Sequence, residues 1–269
     1  MNEIFKTHSA FEKLVKILDV LRSDKGCPWD KEQDENTIVN YFLEEVYEAV
    51  DAIESGDPHS VKEELGDVLM EVVFLTRIFK EKNEFTIHDV LESINQKMIR
   101  RHPHVFGPNK IKSSAGVVDK WNQQKKKEKE RQSVLDGMAT HLPSLLKAFQ
   151  IGQRVSIVGF DWKRPLDAMG KVREELEELE QAIESDKREE IAEEIGDLLF
   201  SLANISRHLD INPEIALRRT NEKFSKRFRV IEERLKERGD EIGKVSLDEL
   251  DLLWEAAKKK INSSKDEDY

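Results

Sequence analysis

Residues 172–205 read VREELEELEQAIESDKREEIAEEIGDLLFSLANI, and this stretch decides the fold. Apolar residues recur in its first half at steps of three and four, which is the spacing of one face of an α-helix. These residues are Val172, Leu176, Leu179 and Ile183. After a short polar stretch the spacing returns at Ile191, Ile195, Leu198, Leu199 and Leu202. The pattern predicts two amphipathic helices that lie antiparallel, because the connection between them is short.

The chain carries this block twice. The stretch FLEEVYEAVDAIESGDPHSVKEELGDVLMEVVFL begins at Phe42, and matched positions keep a constant offset of 130 residues, as between Glu44 and Glu174. The flanks correspond as well, since Asn95, Lys97, Arg101 and Trp121 pair with Asn221, Lys223, Arg227 and Trp254. Such a repeat predicts two homologous domains in tandem. We place them at 1–125 and 133–269, joined near the charged stretch 125–132.

The expected fold class is all-α, with two tandem homologous helical-bundle domains. In the first copy the pattern predicts helices near 35–55, 59–81, 86–100 and 117–131. In the second copy it predicts further helices at 213–236 and 246–261, and Asp167 as the N-cap of the helix that carries Val172. Helices of this length with short connections form bundles, and no stretch alternates persuasively enough to predict a strand.

The composition limits the partners and the compartment. The net charge of −11 argues against nucleic-acid binding, which needs a basic surface, and suits a protein that gathers carboxylates around a cation. Cys27 is the only cysteine, which excludes an internal disulfide and argues against a thiolate zinc site. The stretch MNEIFKTHSAFEKLVKIL does not resemble a signal peptide, and no window approaches the ~18 apolar residues of a membrane span. We therefore expect a cytoplasmic protein with no nucleic-acid or membrane partner.

Acidic residues lie at helical spacing in the second copy. Glu175 and Glu178 are three apart and share a helix face, as do Glu194 and Asp197 on the next helix. The two pairs can converge from neighbouring helices, as in the carboxylate metal sites of bundle proteins. Because carboxylates brought together repel one another, a cation is needed between them. All-oxygen ligands favour Mg²⁺, with Mn²⁺ as the alternative, and Mg²⁺ often binds substrate phosphates too, which points to a phosphoanhydride substrate.

A solvated face is the alternative interpretation of these acids, because Glu-rich helices usually face water and duplication alone could preserve the spacing for some time. Two features favour the metal site. The pattern EExxE followed by ExxD occurs in both copies at identical spacing. Gly66 and Gly196 each precede the Asp in the middle of an apolar-periodic helix, where glycine costs about 1 kcal/mol relative to alanine. We expect another helix or a ligand to approach closely there.

At these residues the sequence resembles the MazG family of all-α nucleoside triphosphate pyrophosphohydrolases. The family motif, EExxE followed after a gap by ExxD, is present at 44–48 with 64–67 and again at 174–178 with 194–197. The segments GCPWDKEQ and RRHPHVFG are also similar to two-domain bacterial members of the family. Asp34-Glu35 departs from the Thr-His expected after GCPWDKEQ, which puts a role for that segment in doubt. The resemblance extends from about residue 8 to residue 260.

The resemblance implies Mg²⁺-dependent hydrolysis between the α and β phosphates of many ribo- and deoxynucleoside triphosphates, giving a monophosphate and pyrophosphate. It also implies a homodimer and an active C-terminal copy. The implied metal ligands are Glu175, Glu178, Glu194 and Asp197. The implied nucleotide contacts are Lys171, Glu190, Glu193, Lys223, Arg227 and Trp254. The matching acids of the first copy, which would form a second metal site, are Glu45, Glu48, Glu64 and Asp67.

The residues themselves also favour the second copy as the catalytic one. Position 41 is Tyr where position 171 is Lys, and Asp57-Pro58 stands opposite Lys187-Arg188. The second copy therefore has more cations with which to position a triphosphate. A carboxylate that does not bind metal, Glu174 or Glu193, is the candidate for orienting or deprotonating the attacking water.

Three residues near the C-terminus have two interpretations. Lys223 and Arg227 lie four apart on one helix face and would hold phosphate oxygens, while Trp254 could stack on the base, which suits loose base selectivity. The alternative is surface solvation for the two cations and a core anchor for the tryptophan. His102 and His104 are interpreted as parts of a structural loop rather than as metal ligands.

Two other functions stay open from the sequence. One is a related all-α pyrophosphohydrolase with a narrower substrate, such as dUTP, dCTP or phosphoribosyl-ATP. The other is a non-catalytic nucleotide-binding helical scaffold that retains an old metal site. The sequence contains no GxxxxGK[ST] phosphate loop and no GxSxG elbow, so other hydrolase classes gain no support.

Overall fold

The computed structural model describes residues 9–107 and 133–266, with side chains as far as residue 261. The helices of the first range are α1 (Ala10–Leu21), α2 (Pro28–Glu32), α3 (Glu35–Ser55), α4 (Pro58–Glu81), α5 (Ile87–Arg101) and α6 (Pro103–Phe106). Those of the second are α7 (Ser144–Ser156), α8 (Pro165–Ser185), α9 (Arg188–His208), α10 (Pro213–Arg238) and α11 (Leu247–Asp266), with a 3-10 turn at Ile242–Lys244. No strand occurs in these two ranges, so the all-α prediction is confirmed. None of the helices found there is long and apolar enough to cross a membrane.

The chain divides into two compact units, residues 1–129 and 130–269, and each unit holds one copy of the repeat. In the first unit α3 and α4 pack along each other, and in the second unit α8 and α9 do the same. The tandem arrangement of two helical domains is therefore confirmed. The predicted bounds at 125 and 133 stay predictions, because residues 108–132 are not described. The predicted helix near 117–131 and Trp121 lie in that stretch.

A two-residue connection joins α3 to α4. Asp34 begins α3 with a capping box, in which its carboxylate accepts the Thr37 backbone N–H at 2.8 Å and its own N–H donates to the Thr37 hydroxyl at 2.9 Å. Asp34, which departs from the residue expected in the MazG family at this position, thus has a structural role as a helix cap. The helix ends at Gly56, whose φ of 75° is the left-handed conformation that favours glycine. Asp57 then caps α4, with Pro58 at its first position.

The connection from α8 to α9 is equally short, and consists of Asp186 in the left-handed conformation followed by Lys187. The predicted N-cap at Asp167 is wrong, because α8 already begins at Pro165 and its N-cap is Arg164. Proline fixes the backbone angle of the first helical residue, so the helix starts two residues earlier than the capping pattern indicated. Asp167 lies in the first turn and pairs with the Arg164 guanidinium at 2.6 Å.

The core of the first unit lies between α1, α3 and α4. Its fully buried members are Leu18, Ile38, Val73, Phe74 and Ile78. Around this cluster, partly buried side chains of α1 and α4 and the first residue of α5 complete the packing. Burial of such apolar side chains is the main contribution to the stability of the unit.

The second unit has two packed regions. Ile231, Leu235 and Ala257 form a buried cluster between α10 and α11. Elsewhere α7 packs against α9, and their approach is so close that a Cβ on Gly152 would lie 2.9 Å from both Arg207 Nε and Asn204 Oδ1. A larger residue at position 152 would therefore force the Arg207 and Asn204 side chains to shift, and glycine lets α7 lie close to the α9 face that carries Asn204.

The helix glycines at 66 and 196 do not show the expected close approach. A Cβ built on either Gly66 or Gly196 meets no heavy atom within 4 Å. Both glycines therefore face open space within the described part of the chain. Glycine destabilises a helix relative to alanine, and no close helix contact there offsets that destabilisation.

Candidate active site

Helices α8 and α9 bring three carboxylates of the second copy together. Glu175 from α8 and Glu194 and Asp197 from α9 each place a ligand oxygen within 4.8 Å of the others. Glu175 is 5% exposed, Glu194 is half-buried and Asp197 is exposed, so the cluster opens from the helix interface towards solvent. Three hard oxygen donors at this separation fit a divalent cation such as Mg²⁺ or Mn²⁺.

Glu178 lies one helical turn beyond Glu175 at the exposed edge of the cluster. Desolvation, the hydrogen bond with Glu175 and the charge of Glu194 raise the pKa of Glu178 above its ordinary value. Desolvation and the charges of Asp197, Glu175 and Glu193 likewise raise the pKa of Glu194. The acids therefore repel one another and hold protons more tightly than isolated carboxylates, which is the electrostatic condition that a bound cation relieves.

Lys171 supplies the positive charge next to these acids. Its amino group lies 2.8 Å from Glu174 Oε1 and 2.7 Å from Glu175 Oε1, one turn away on α8. The hydrogen bonds to Glu174 and Glu175 raise the pKa of Lys171 above its usual range, so the lysine is charged at neutral pH. Glu175 is the buried partner, and Lys171 compensates its charge in the absence of a metal.

A cavity of about 330 Å³ opens beside the cluster. Its walls include Glu175, Asp197 and Lys171, and are completed by Trp162, Ala168, Phe200, Ser201 and Asn204. Aromatic surface, a hydroxyl and an amide therefore adjoin the carboxylates and the lysine. A pocket with apolar walls and a few polar groups is what a nucleoside requires.

The loop that carries Trp162 is fixed by a clamp that the sequence analysis missed. The Asp161 carboxylate accepts from Arg207 Nη1 at 3.0 Å, contacts Arg207 Nη2, and lies 3.0 Å from His208 Nε2. Burial opposes ionisation of Asp161, but the Arg207 hydrogen bonds and the charges of Arg207 and His208 outweigh it and lower the pKa of Asp161. The clamp joins the end of α9 to the loop before α8, so it positions Trp162 at the cavity. The only sequence feature that could have indicated the clamp is the pair of neighbouring basic residues, Arg207 and His208, at the end of the periodic stretch.

The first copy also gathers acids, in a different arrangement. Glu45, Glu48 and Glu64 place oxygens within 4.8 Å of one another. Asp67 is not part of that triplet, but its charge acts on two of the members. Desolvation and the charges of Glu48 and Asp67 raise the pKa of Glu64. Desolvation and the charge of Asp67 raise the pKa of Glu45. Both copies thus keep an acidic centre between their two long helices.

Larger side chains replace two of the cavity-lining residues in the first copy. At the offset of 130, Ile38 takes the place of Ala168 and Phe74 that of Asn204. Ile38 is 1% exposed and Phe74 is 3% exposed, and both belong to the core of the first unit. Two positions that line an open cavity in the second copy are therefore part of the packed core in the first.

Glu71 is a buried acid of the first copy that sequence reasoning missed. It occupies the position of Ser201, is 5% exposed, and its Oε2 atom has no hydrogen-bond partner. Burial raises the pKa of Glu71 to about 7, and the charges of Glu45 and Asp67 raise it in the same direction. The signal was present as one acid within the apolar run VLMEVVFL, where the second copy has serine.

The remaining predicted residues divide into two groups. Glu174, Glu190 and Glu193 lie on α8 and α9; Glu190 pairs with Lys187 at 2.7 Å, and Glu193 adds charge next to Glu194. All three lie on the two helices that hold the cluster.

The second group lies on α10 and α11. Lys223 is exposed, while the Arg227 guanidinium lies 5.6 Å from the Trp254 ring, which packs 4.9 Å from Phe224. Trp254 also packs against the buried cluster of α10 and α11, which agrees with the alternative interpretation of this tryptophan as a core anchor. No contact described for these three side chains reaches the carboxylates of α8 and α9. Their nucleotide roles stay predictions.

His102 and His104 are placed beside each other at the end of α5, with ring centroids 5.6 Å apart. His102 Nδ1 lies 2.7 Å from the Met98 carbonyl of its own helix. This contact fixes the orientation of the His102 ring on its own helix, and the structural-loop interpretation stays a prediction.

Comparison with known proteins agrees with this geometry. A family model described as the MazG nucleotide pyrophosphohydrolase domain matches residues 33–106 and again residues 164–230, and so covers both helix pairs. The nucleoside triphosphate pyrophosphohydrolase/pyrophosphatase MazG of Thermotoga maritima is 43% identical over 250 residues, covering 92% of this chain and 95% of the relative. The nucleoside triphosphate pyrophosphohydrolase of Escherichia coli K12 is 40% identical over 256 residues, covering 92% and 97%.

A third relative is longer than this chain. The uncharacterized protein YabN of Bacillus subtilis is 41% identical over 251 residues, which cover 92% of this chain and 51% of that protein. The double match to one family model, the near full-length similarity to two relatives and the paired acidic helices agree. This chain belongs to the MazG nucleotide pyrophosphohydrolase family.

Proposed function

We propose that this chain hydrolyses nucleoside triphosphates to a monophosphate and pyrophosphate, and that the second copy is its catalytic centre. The observation that carries the proposal is the cavity beside Glu175, Asp197 and Lys171, which joins carboxylates, a cation and apolar walls in one place. The family, and the pyrophosphohydrolase activity for which the relatives in Thermotoga maritima and Escherichia coli are named, support the same activity. The first copy has acids of the same kind, but Ile38 and Phe74 occupy the positions of two cavity-lining residues, Ala168 and Asn204.

Mg²⁺ is the proposed cofactor, with Mn²⁺ as a substitute. Glu175, Glu194 and Asp197 would hold it, with Glu178 at the exposed edge of the cluster. When bound, such an ion neutralises phosphate charge and lowers the pKa of a coordinated water. The all-oxygen donor set excludes a preference for softer metals that select sulfur or imidazole ligands.

Lys171 is the proposed phosphate-binding cation. Its amino group contacts Glu174 and Glu175, and its flexible stem lets it turn towards phosphate oxygens in the adjoining cavity. Glu174 would then lose its partner and become available to orient or deprotonate the attacking water. Glu193, exposed on α9 beside Glu194, is the second candidate for that role.

A broad range of bases and both sugars is the proposed substrate range. Trp162 and Phe200 offer apolar surface in the cavity, and every base has a face that can stack on it. Ser201 and Asn204 are the side chains in the walls through which a base or sugar could be distinguished. A narrower enzyme for dUTP or dCTP would release pyrophosphate from that nucleotide alone, whereas a phosphoribosyl-ATP hydrolase or a scaffold without catalysis would release none from nucleoside triphosphates.

A homodimer and a cytoplasmic location complete the proposal. Apolar side chains on the outer faces of the second helix pair, including Ile183, Ile195 and Leu199, are between 45% and 56% exposed. Exposed apolar surface of this kind favours association with a second copy of the chain. The location rests on the sequence analysis alone.

Pyrophosphate release from a panel of ribo- and deoxynucleoside triphosphates with Mg²⁺ tests the proposal. The variants are Glu178→Ala and its first-copy counterpart Glu48→Ala. We expect the unaltered chain and Glu48→Ala to release pyrophosphate from many nucleotides, and Glu178→Ala to lose most of that activity. An unaltered chain that is inert on every nucleotide would contradict the proposed hydrolysis, and equal losses in both variants would contradict the assignment to the second copy.

A further inference from the structure

The side chain of Asn204 lies in the wall of the cavity beside Lys171 and the carboxylates, and it is 7% exposed. Its Oδ1 atom accepts a hydrogen bond from Arg207 Nε at 2.9 Å. The same oxygen faces α7, because a Cβ on Gly152 would lie 2.9 Å from it. Arg207 and the close approach of α7 therefore hold the amide oxygen on the α7 side of the side chain.

This contact fixes which way round the amide group of Asn204 lies. A guanidinium group only donates hydrogen bonds, so a reversed amide would place its own N–H groups against those of Arg207. Within the described ranges Nδ2 forms no hydrogen bond, yet the atom is not fully enclosed, so it borders open space. The open space that Asn204 lines is the cavity. The amide therefore offers the cavity hydrogen-bond donors and no acceptor.

Asn204 lies at the end of the cavity that is farthest from the metal-binding acids. Asp197, Ser201 and Asn204 follow one another along one face of α9, so Asn204 is about 10 Å along the helix axis from Asp197. Because the short connection makes α8 and α9 antiparallel, Ala168, seven residues before Glu175, borders the same end. The sugar of a nucleotide separates its phosphates from its base. With the phosphates at the acids, the base belongs at the end that holds Asn204.

We propose, as an extension that rests on the proposed function, that the N–H groups of Asn204 donate to the base and favour keto bases over amino bases. Uracil, thymine and guanine carry a carbonyl oxygen where cytosine and adenine carry an amino group. A carbonyl oxygen accepts from Asn204, whereas an amino group meets it donor against donor. One hydrogen bond of this kind changes the relative rate by roughly 2- to 10-fold. Such a factor ranks the nucleotides and leaves the broad substrate range intact.

Two pairs of nucleotides isolate this contact. UTP differs from CTP, and ITP from ATP, by the exchange of a carbonyl oxygen for an amino group together with the protonation of the neighbouring ring nitrogen. Pyrophosphate release with Mg²⁺ gives kcat/KM for each nucleotide. We expect the unaltered chain to favour UTP over CTP and ITP over ATP, each by roughly 2- to 10-fold. Calorimetric titration with UMP and CMP, which have no phosphoanhydride bond, makes the same comparison without hydrolysis.

Asn204→Asp should invert both preferences. One oxygen of the new carboxylate can still accept from Arg207 Nε, while the other presents an acceptor to the amino group of cytosine or adenine. Asn204→Ala should remove both preferences, and it keeps the test decisive if the added charge of Asn204→Asp impairs folding. Asn95→Asp is the matched control, because Asn95 is an exposed asparagine of the first unit and its replacement adds the same charge. The control should keep the ratios of the unaltered chain.

Four results would overturn the role of Asn204. They are equal kcat/KM within both pairs, a preference of the unaltered chain for the amino bases, a keto preference that survives in Asn204→Ala, and equal affinities for UMP and CMP. Failure of the proposed function gives a different result, because the unaltered chain then hydrolyses none of the four triphosphates. The titrations with UMP and CMP still decide the role of Asn204 in that case.

Discussion

The amino group of Lys171 lies 2.7 Å from Oε1 of Glu175, across one turn of α8, and this pair joins a charged lysine to the buried carboxylate of the cluster. The same lysine lines the cavity beside the acids. A cation in this position serves the protein in two conditions. We propose that it compensates Glu175 before a metal binds and contacts phosphate oxygens afterwards.

Replacing Lys171 by methionine should separate these two tasks. Loss of a hydrogen bond to a charged group costs about 1.5–3 kcal/mol, so kcat/KM should fall roughly 10- to 100-fold. Mn²⁺ affinity should hold or increase, because Glu175 no longer has a competing cation. Tyr41→Met, at the matching position of the first copy, is the control and should leave hydrolysis unchanged. A Lys171→Met chain with normal kcat/KM would rule out a phosphate-binding role.

Filling the cavity should impair nucleotide binding while sparing the metal. Ala168→Ile introduces the residue that the first copy carries at the same place, Ile38. We expect KM for nucleoside triphosphates to rise at least tenfold, because the added methylene and methyl groups occupy the space of the nucleoside, and Mn²⁺ affinity to stay the same. Overpacking costs about 1–3 kcal/mol, so the melting temperature is measured alongside. An unchanged KM in a folded Ala168→Ile chain would place the nucleoside elsewhere.

Breaking the clamp should act on KM through Trp162. Asp161→Asn removes the charge that Arg207 and His208 hold, and loss of such a contact costs about 1–3 kcal/mol of stability. We expect KM to rise several-fold and kcat to fall by a smaller factor, because the cavity wall is displaced and the carboxylates are not. Steady-state kinetics at saturating Mg²⁺ give both constants. If only the melting temperature falls and KM holds, Asp161 is a structural residue and not a positioning one.

The buried carboxyl of Glu71 should make metal-free stability depend on pH. Its pKa is raised from 4.5 to about 7 in the folded chain, so the folded state binds the proton more tightly than the unfolded state. Stability is therefore greatest below pH 4.5 with respect to this group, and it is lost as pH rises through about 7. Glu71→Gln should remove that loss and be more stable than the parent at pH 8 by about 1–3 kcal/mol.

Denaturant unfolding of the chelator-treated protein at pH 5.5 and pH 8 checks this expectation. The advantage of Glu71→Gln should be larger at pH 8 than at pH 5.5. A difference between parent and variant that is the same at both pH values would contradict a titrating group at position 71.

The apolar periodicity predicted the helix pairs, but it did not predict burial, because Ile183, Ile195 and Leu199 are periodic positions that are between 45% and 56% exposed. Glu175, Glu194 and Asp197 could be placed on neighbouring helices from spacing alone, and the short connection made those helices antiparallel. The start of α8 was misplaced at Asp167, because the restriction imposed by Pro165 outweighs the capping preference of an acid two residues later.

The cavity and the clamp could not be predicted in this way. A cavity depends on which side chains are too small to fill a space, and Ala168 and Ser201 look like ordinary helix residues in the sequence. The clamp joins Asp161 to Arg207 across 46 residues, with no periodic pattern to relate them. Gly196 indicated a close approach, yet open space adjoins it, so a helix glycine alone does not identify a contact.

The two-residue connections at Gly56-Asp57 and Asp186-Lys187 have a consequence for how this protein can change over time. Such a connection has too little slack for one helix to slide along the other, so the axial alignment of the acids is set by covalent chain length. Core substitutions can therefore alter stability, and wall substitutions can alter substrate choice, without moving one acid pair relative to the other. By contrast, a single residue inserted into either connection would shift one helix along the other and separate its two acid pairs.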